Sequence, residues 1–337
     1  MTEITPQPVR IGVLSTAKIA REKVVPGLAT TPWCVVHGIS SRDTARARAV
    51  ADDLGIPKAY GSTEEMLADP EIEAVYIPLP NDLHVDAALA AGRAGKHVLL
   101  EKPTGLDAMD AERLLEFPRD LVFMEGYMVR QHPQWRMVRD MVRAGRIGRP
   151  LGVQVWFSYM NDDPDNIRNR PETGGGAALD IGVYPLVVSR FVLDAEPIRL
   201  VAALDRDPIF ATDRLTSVLA DFGGGLHLTF TVSTQSVVHQ RVTVCGTEGR
   251  IEVVVPFNAP LGGETILRFD PGTALGDASA ETIVVPACNM YGLQGELFAM
   301  AIRGEAVLPY GVGDSITQMR LVDAIFESAR RGGWVDL

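Results

Sequence analysis

The sequence predicts an α/β protein in two parts. A doubly wound domain on a parallel sheet comes first, and an α+β domain with a large open, mainly antiparallel sheet follows. Three observations predict this. Short apolar runs alternate with helix-patterned segments up to about residue 125. Those runs are nearly continuous, as in strands covered on both faces. After Gly148-Arg149-Pro150 the pattern gives way to strict apolar/polar alternation, the mark of strands with one solvated face.

Taken in order, residues 9–14 form a strand and 17–29 a helix, 34–40 a second strand, and 43–54 a second helix with Asp43 as its cap. The run 74–78 is a third clear strand, and the Ala-rich segment 84–94 is a helix stopped by Gly95. Strands at 96–100 and 121–124 flank a helix at 107–117. Residues 133–145 form one more helix with Pro133 at its first position. In the second half, Leu226, Leu228, Phe230 and Val232 alternate with His227, Thr229 and Thr231. The turn Gly223-Gly224-Gly225 pairs that strand with 216–222, and Gly246-Thr247-Glu248-Gly249 pairs 241–245 with 251–255. Helices at 291–303 and 314–331 complete the chain. The expected division is 1–126 and 127–337.

With 32 basic and 43 acidic residues among 337, the net charge of −11 argues against nucleic acid or an anionic membrane as partner. Cys34, Cys245 and Cys288 form no CxxC and no zinc spacing, which fits a thiol-reducing cytoplasm. The start, Met-Thr-Glu-Ile-Thr-Pro-Gln-Pro, has no basic and then apolar stretch, so no leader is expected there. No metal motif and no nucleophilic Ser or Cys elbow is present.

Dinucleotide binding needs a tight turn between the first strand and first helix, where backbone amides and the helix dipole hold the pyrophosphate. Here the turn is Leu14-Ser15-Thr16-Ala17-Lys18-Ile19-Ala20, with Ser15, Ala17 and Ala20 at the usual glycine positions. Alone it equally fits an ordinary strand–helix junction. The second strand ends Ser40-Ser41-Arg42 with no acid at its tip, and Asp43 reads as a helix cap. A hydroxyl beside a guanidinium suits a 2′-phosphate, which favours NADP over NAD. Glu101-Lys102 follows an apolar strand, where open parallel sheets bind their ligands.

At Ala-Gly-Lys-His-Val-Leu-Leu-Glu-Lys-Pro (94–103) the chain resembles the glucose–fructose oxidoreductase/inositol dehydrogenase/rhizopine-catabolism (Gfo/Idh/MocA) family. Agreeing segments follow in the same order: the first turn, Pro80-Asn81-Asp82-Leu83-His84, the stretch 125–134, Gly-Gly-Gly-Ala-Ala-Leu-Asp-Ile-Gly-Val-Tyr-Pro (174–185), and Gly246-Thr247-Glu248-Gly249. The resemblance spans roughly residues 9 to 330 and is closest to the sugar and dihydrodiol dehydrogenase branch. It implies a Rossmann domain followed by an α/β domain whose open sheet forms a homodimer or homotetramer. It implies NADP(H) as cofactor, bordered by Ser15 to Ile19, Ser41, Arg42, Pro80, Asn81, His84 and Glu101. It implies Lys102, Asp180 and Tyr184 as the catalytic group, with Arg168 at the substrate. Ala17, where a glycine is usual, and Val129 and Gln131, where aromatics are common, depart from the pattern.

Oxidising a sugar hydroxyl requires a base, because a free alcohol is a poor proton donor. Tyr184 serves if Lys102 lowers its pKa; alternatively Lys102 takes the proton itself, with Asp180 holding Lys102 or a sugar hydroxyl. Asp180 and Tyr184, four apart, share a helical face, although Pro185 strains that helix. Trp156, Tyr159 and Asn161 are candidate sugar contacts. The expected activity is an NADP(H)-dependent sugar oxidoreductase: aldose dehydrogenase, keto-sugar reductase or aldose–aldose oxidoreductase. The alternatives are an NAD(P)-dependent glycoside hydrolase, a trans-dihydrodiol dehydrogenase and a non-catalytic dinucleotide sensor.

Overall fold

A computed structural model describes residues 6–337; the first five residues of the N-terminal segment considered above lie outside it. The described residues form two compact units, 6–128 with 289–317, and 129–288 with 318–337.

The first unit holds a six-stranded parallel sheet of β1 (Val9–Val13), β2 (Cys34–Ser40), β3 (Lys58–Tyr60), β4 (Ala74–Ile77), β5 (His97–Leu100) and β6 (Phe123–Glu125). Its order is β3-β2-β1-β4-β5-β6, with the reversal between β1 and β4. Val75, Ile77, Val98 and Leu100 are buried with Val85 and Leu89 of the helix His84–Arg93. This is why the strands read as unbroken apolar runs.

One expectation needs correction: 289–317 belongs with this sheet and not with the second unit. The helix Met290–Ile302 approaches the first helical segment through glycines. A Cβ on Gly27 would lie 2.6 Å from the Tyr291 Cβ, and one on Gly295 would lie 2.2 Å from Leu28 Cδ2. The Cys34 thiol donates to the Gly295 carbonyl at 3.2 Å, and Ser315 Oγ donates to Glu125 Oε2 at 2.7 Å. Such a return of the chain leaves no mark in local pattern.

The second unit is built on a nine-stranded sheet: β7 (Pro150–Met160), β8 (Arg199–Arg206), β9 (Asp213–Asp221), β10 (His227–Ser233), β11 (Gln235–Gly246), β12 (Arg250–Val253), β13 (Thr265–Asp270), β14 (Glu281–Val285) and β15 (Val335–Asp336). The order is β14-β13-β12-β11-β7-β10-β9-β8-β15, and only the β7–β10 pair is parallel. On β7 the alternation sends Val153, Val155 and Phe157 inward and Gln154 and Trp156 outward. Phe157 and Phe257 stack with centroids 4.7 Å apart, and Trp135 stacks on Phe257 at 6.2 Å. Trp135 lies on the helix Pro133–Arg143, and its indole N–H donates to the Pro256 carbonyl at 2.8 Å. The apolar stretch Pro171–Leu193 is long enough to cross a membrane by length and composition, but 94% of its most apolar window is buried inside the fold, as a core helix.

Candidate functional site

In the first unit the expected cofactor residues follow the carboxyl ends of β1, β2, β4 and β5, around the reversal of strand order, and all but one have exposed surface there or backbone at the turn. Ser15, two residues after β1, adopts φ +148°, a region that glycine usually fills. Its hydroxyl accepts from the Ala17 N–H at 3.0 Å, and helix begins at residue 18 and runs to 28 through the π segment Ala20–Val24. The Thr16 carbonyl accepts from Arg21 Nε at 3.1 Å. Ser15 thus holds the glycine conformation without being glycine. Thr16, Ala17, Lys18 and Ile19 lead into a helix long enough to present free amides to an anion.

At the end of β2, Asp43 Oδ1 accepts from the N–H groups of Ala45 and Arg46 at 2.9 and 3.1 Å. It is the N-cap of the helix Thr44–Leu54, a role worth about 1 kcal/mol. The Ser41 hydroxyl accepts from the Asp43 N–H at 3.2 Å, and Arg42 is exposed beside it. Pro80 and Asn81 follow β4, and Glu101 and Lys102 follow β5. Glu101 Oε1 accepts from the Tyr76 hydroxyl at 2.7 Å, and Lys102 is half-buried before a cis bond to Pro103. The residues present therefore fit a dinucleotide: a turn in the glycine conformation opens on a helix start, at the end of the sheet where such ligands bind.

His84 is the exception. It has no exposed surface, so it cannot border a cofactor directly. Its Nδ1 and Nε2 face the carbonyls of Pro103 and Leu79 at 2.7 and 2.8 Å. Burial pushes the imidazole pKa down, and the two carbonyls oppose that shift. His84 ties the segment after Lys102 to the segment before Asn81.

The second unit brings Tyr159, Arg168, Asp180 and Tyr184 together. Asp180 lies in the π segment Ala178–Gly182, and Tyr184 in the helix Val183–Leu193 that continues it. Pro185, with no N–H to give the helical ladder, sits directly after this widened turn, and the helix runs on through it. Asp180 Oδ2 accepts from the Tyr159 hydroxyl at 2.5 Å, and Oδ1 accepts from Arg168 Nε at 3.0 Å. Arg168 sits in the 3-10 turn Ile167–Asn169, which Asn166 caps. The Asp180 carboxylate holds the Arg168 guanidinium well above its ordinary pKa. Burial first, then Asp180, pushes the Tyr159 phenol up, so Tyr159 stays a donor. The Tyr184 ring packs on Phe257 at 5.4 Å and edge-on to Phe157 at 6.0 Å.

Two expectations change here. Trp156 points to the opposite face of β7 from Phe157, and its indole N–H donates to Ser158 Oγ at 3.1 Å. Tyr159 is more than a candidate sugar contact, because its hydroxyl fixes Asp180. The sequence reading missed Phe157, Phe257 and Trp135, the aromatic wall behind Tyr184. Inward alternation on β7 pointed to Phe157; Phe257 lies outside any strand and carried no local signal. Among the described residues no group of three or more His, Cys, Asp or Glu is arranged to hold a metal.

Comparisons with known proteins show which family shares this sequence and fold. Residues 9–121 match the family described as "Oxidoreductase family, NAD-binding Rossmann fold", and 135–252 match the "GFO/IDH/MocA C-terminal domain". The chain is 45% identical to an uncharacterised oxidoreductase of Rhizobium meliloti over 97% of this chain and 98% of that one. It is 34% identical to D-xylose 1-dehydrogenase (NADP(+)) 2 of Haloferax volcanii over 97% and 99%. A crystal structure of a 3-ketoreductase from Actinomadura kijaniata in complex with NADP and TDP-benzene superposes with a TM-score of 0.87 at 30% identity, covering 96% of this chain and 98% of that one.

Proposed function

This chain belongs to the Gfo/Idh/MocA oxidoreductase family, and we propose that it is an NADP(H)-dependent enzyme moving a hydride between nicotinamide and a free aldose or related cyclic sugar or polyol. The observation that carries the proposal is the carboxylate of Asp180, fixed on both oxygens by Tyr159 and Arg168 and four residues before Tyr184. Fixed carboxylates and phenols suit a polyhydroxyl substrate, which needs acceptors and a proton carrier held in place. The relative named D-xylose 1-dehydrogenase supports a sugar substrate, and the 3-ketoreductase structure, which holds NADP, supports the cofactor.

A bound nicotinamide supplies the hydride acceptor or donor. Tyr184 carries the proton of the reacting oxygen, Lys102 supplies positive charge that eases its release, and Asp180 accepts a sugar hydroxyl. Arg168 neutralises Asp180. NADP is favoured because Asp43 is engaged in capping, while Ser41 and Arg42 remain at the end of β2. A free sugar is favoured over a nucleotide-linked one by local charge. Asp162, Asp163, Asp165 and Glu172 outnumber Arg168 and Arg170 in the loop that carries Arg168, and a diphosphate would be repelled there.

We also propose a homodimer or homotetramer through the outer face of the nine-stranded sheet. There Trp156, 41% exposed, lies among Gln154, Thr229, Thr231 and Leu219. Trp156→Glu should lower the mass measured by light scattering. The free thiols Cys34, Cys245 and Cys288 support a place in the cytoplasm.

The test is the nicotinamide absorbance band of the purified protein, followed while aldoses, nucleotide sugars and an aromatic dihydrodiol are added. Growth of the NADPH band with a free aldose supports the proposal, and Lys102→Met and Tyr184→Phe should each abolish it. One reduction by an aldose and reoxidation by a second sugar, with no cofactor added, identifies the transhydrogenating form. Response to the dihydrodiol alone, or glycosidic cleavage with no net NADPH, replaces it with those alternatives. Cofactor binding with no spectral change overturns it in favour of a sensor.

A further inference from the structure

Asp213, the first residue of β9, is 1% exposed and takes no part in the chemistry described above. Its Oδ2 accepts from the Ala178 N–H at 2.8 Å and from the Thr216 hydroxyl at 2.6 Å. Ala178 opens the segment that carries Asp180, and its amide is one of the donors a helix start leaves without an intrahelical partner. Such a donor is usually met by a side chain just before it. The residues just before it, Gly174, Gly175, Gly176 and Ala177, have no polar side chain to offer.

The glycines fit this cap from the other side. Gly176 has φ +117°, and a Cβ there would lie 2.1 Å from Asp213 Oδ1. The Gly176 N–H donates to the Arg168 carbonyl at 2.9 Å, and a Cβ on Gly175 would lie 2.5 Å from that same oxygen. One buried carboxylate therefore meets the junction from which Arg168 departs on one side and Asp180 and Tyr184 on the other. Burial pushes the Asp213 carboxyl up, and the bonds from Thr216 and Ala178 oppose this.

We propose that Asp213 is a positioning residue: from β9 it clamps the start of the helical stretch bearing Asp180 and Tyr184, and so sets where both side chains point. The sugar contact of those two residues rests on the function proposed above; the clamp itself does not. A displacement of about 1 Å in a catalytic group is enough to slow turnover by about 100-fold.

The experiment compares wild type with Asp213→Ala, Asp213→Asn and Thr216→Val, using amide hydrogen exchange, NADPH binding and sugar kinetics. In Asp213→Ala the peptide over 176–186 should exchange at least about 10-fold faster, with kcat down about 10- to 100-fold and the NADPH Kd within about twofold of wild type. Asparagine keeps an oxygen for both donors, so Asp213→Asn should hold exchange and kcat near wild type. Thr216→Val, which removes one of the two bonds, should fall between, and it carries the comparison if the alanine variant fails to fold. The pH profile of kcat/KM should shift in the alanine variant and not in the asparagine one. Wild-type exchange at 176–186 in both Asp213→Ala and Thr216→Val overturns the clamp, as does an asparagine variant as impaired as the alanine one. Faster exchange with unchanged kcat reduces Asp213 to a structural cap and also overturns the proposal. Wild type inactive on every sugar defeats the function reading instead, and the exchange result still decides the clamp.

Discussion

His132 should make the stability of this protein depend on pH in the mildly acidic range. It caps the helix Pro133–Arg143, with Nδ1 accepting from the Gln134 N–H at 3.1 Å and the ring 1% exposed. An acceptor at Nδ1 requires the neutral ring, and burial lowers the pKa from its ordinary 6.5 to about 4. Above pH 6.5 the ring is neutral whether the chain is folded or not. As the pH falls from 6.5 towards 4, the unfolded chain takes up a proton that the folded protein refuses, so unfolding becomes easier. Below about 4 both forms are protonated and the loss is complete. At about 1.4 kcal/mol for each pH unit, the loss totals about 3.5 kcal/mol. The consequence reaches the site, because this helix carries Trp135, which stacks on Phe257, which packs on Tyr184. Denaturant unfolding at pH 7.0 and 4.5, for wild type and His132→Asn, isolates the effect. Asparagine can cap without titrating, so the variant should lose about 2–3 kcal/mol less than wild type between the two pH values. Equal losses in the two proteins would refute the reasoning.

Arg42→Ala should weaken NADP in favour of NAD, lowering the ratio of their kcat/KM values by about 10- to 100-fold, the scale of one charge-assisted phosphate contact. An unchanged ratio would remove Arg42 from the 2′-phosphate. Tyr159→Phe deletes a donor to the Asp180 carboxylate, a bond of roughly 1.5–3 kcal/mol, so kcat/KM for the sugar should fall about 10- to 100-fold while NADPH affinity holds. A fall confined to NADPH affinity would show that Tyr159 does not act through Asp180.

Much of the first unit was legible because its strands and helices carry their instructions locally. Asp43 was readable as a cap, and its carboxylate does cap the helix Thr44–Leu54. The turn after β1 was readable only in outline. Ser15 stands in a position that calls for glycine, and the backbone alone reveals that it adopts the glycine conformation. His84 was readable as part of the site and misplaced within it, because a motif shows which residue is present and not whether its ring is exposed.

What the sequence determined by itself is what repeats at short range: the strand–helix alternation, the one-sided strands, the glycine turns, and the spacing of Asp180 from Tyr184. Tertiary structure alone decided the rest. It returned 289–317 to the first sheet through the close approach of Gly27 and Gly295 to their neighbours, and set Phe257 behind Tyr184. It also brought Asp213 to the amide of Ala178, 35 residues away in the chain. The physical reason is common to all three. Each depends on contacts between segments far apart in sequence, where the fit of volumes and the pairing of buried donors are settled only when the chain has closed on itself.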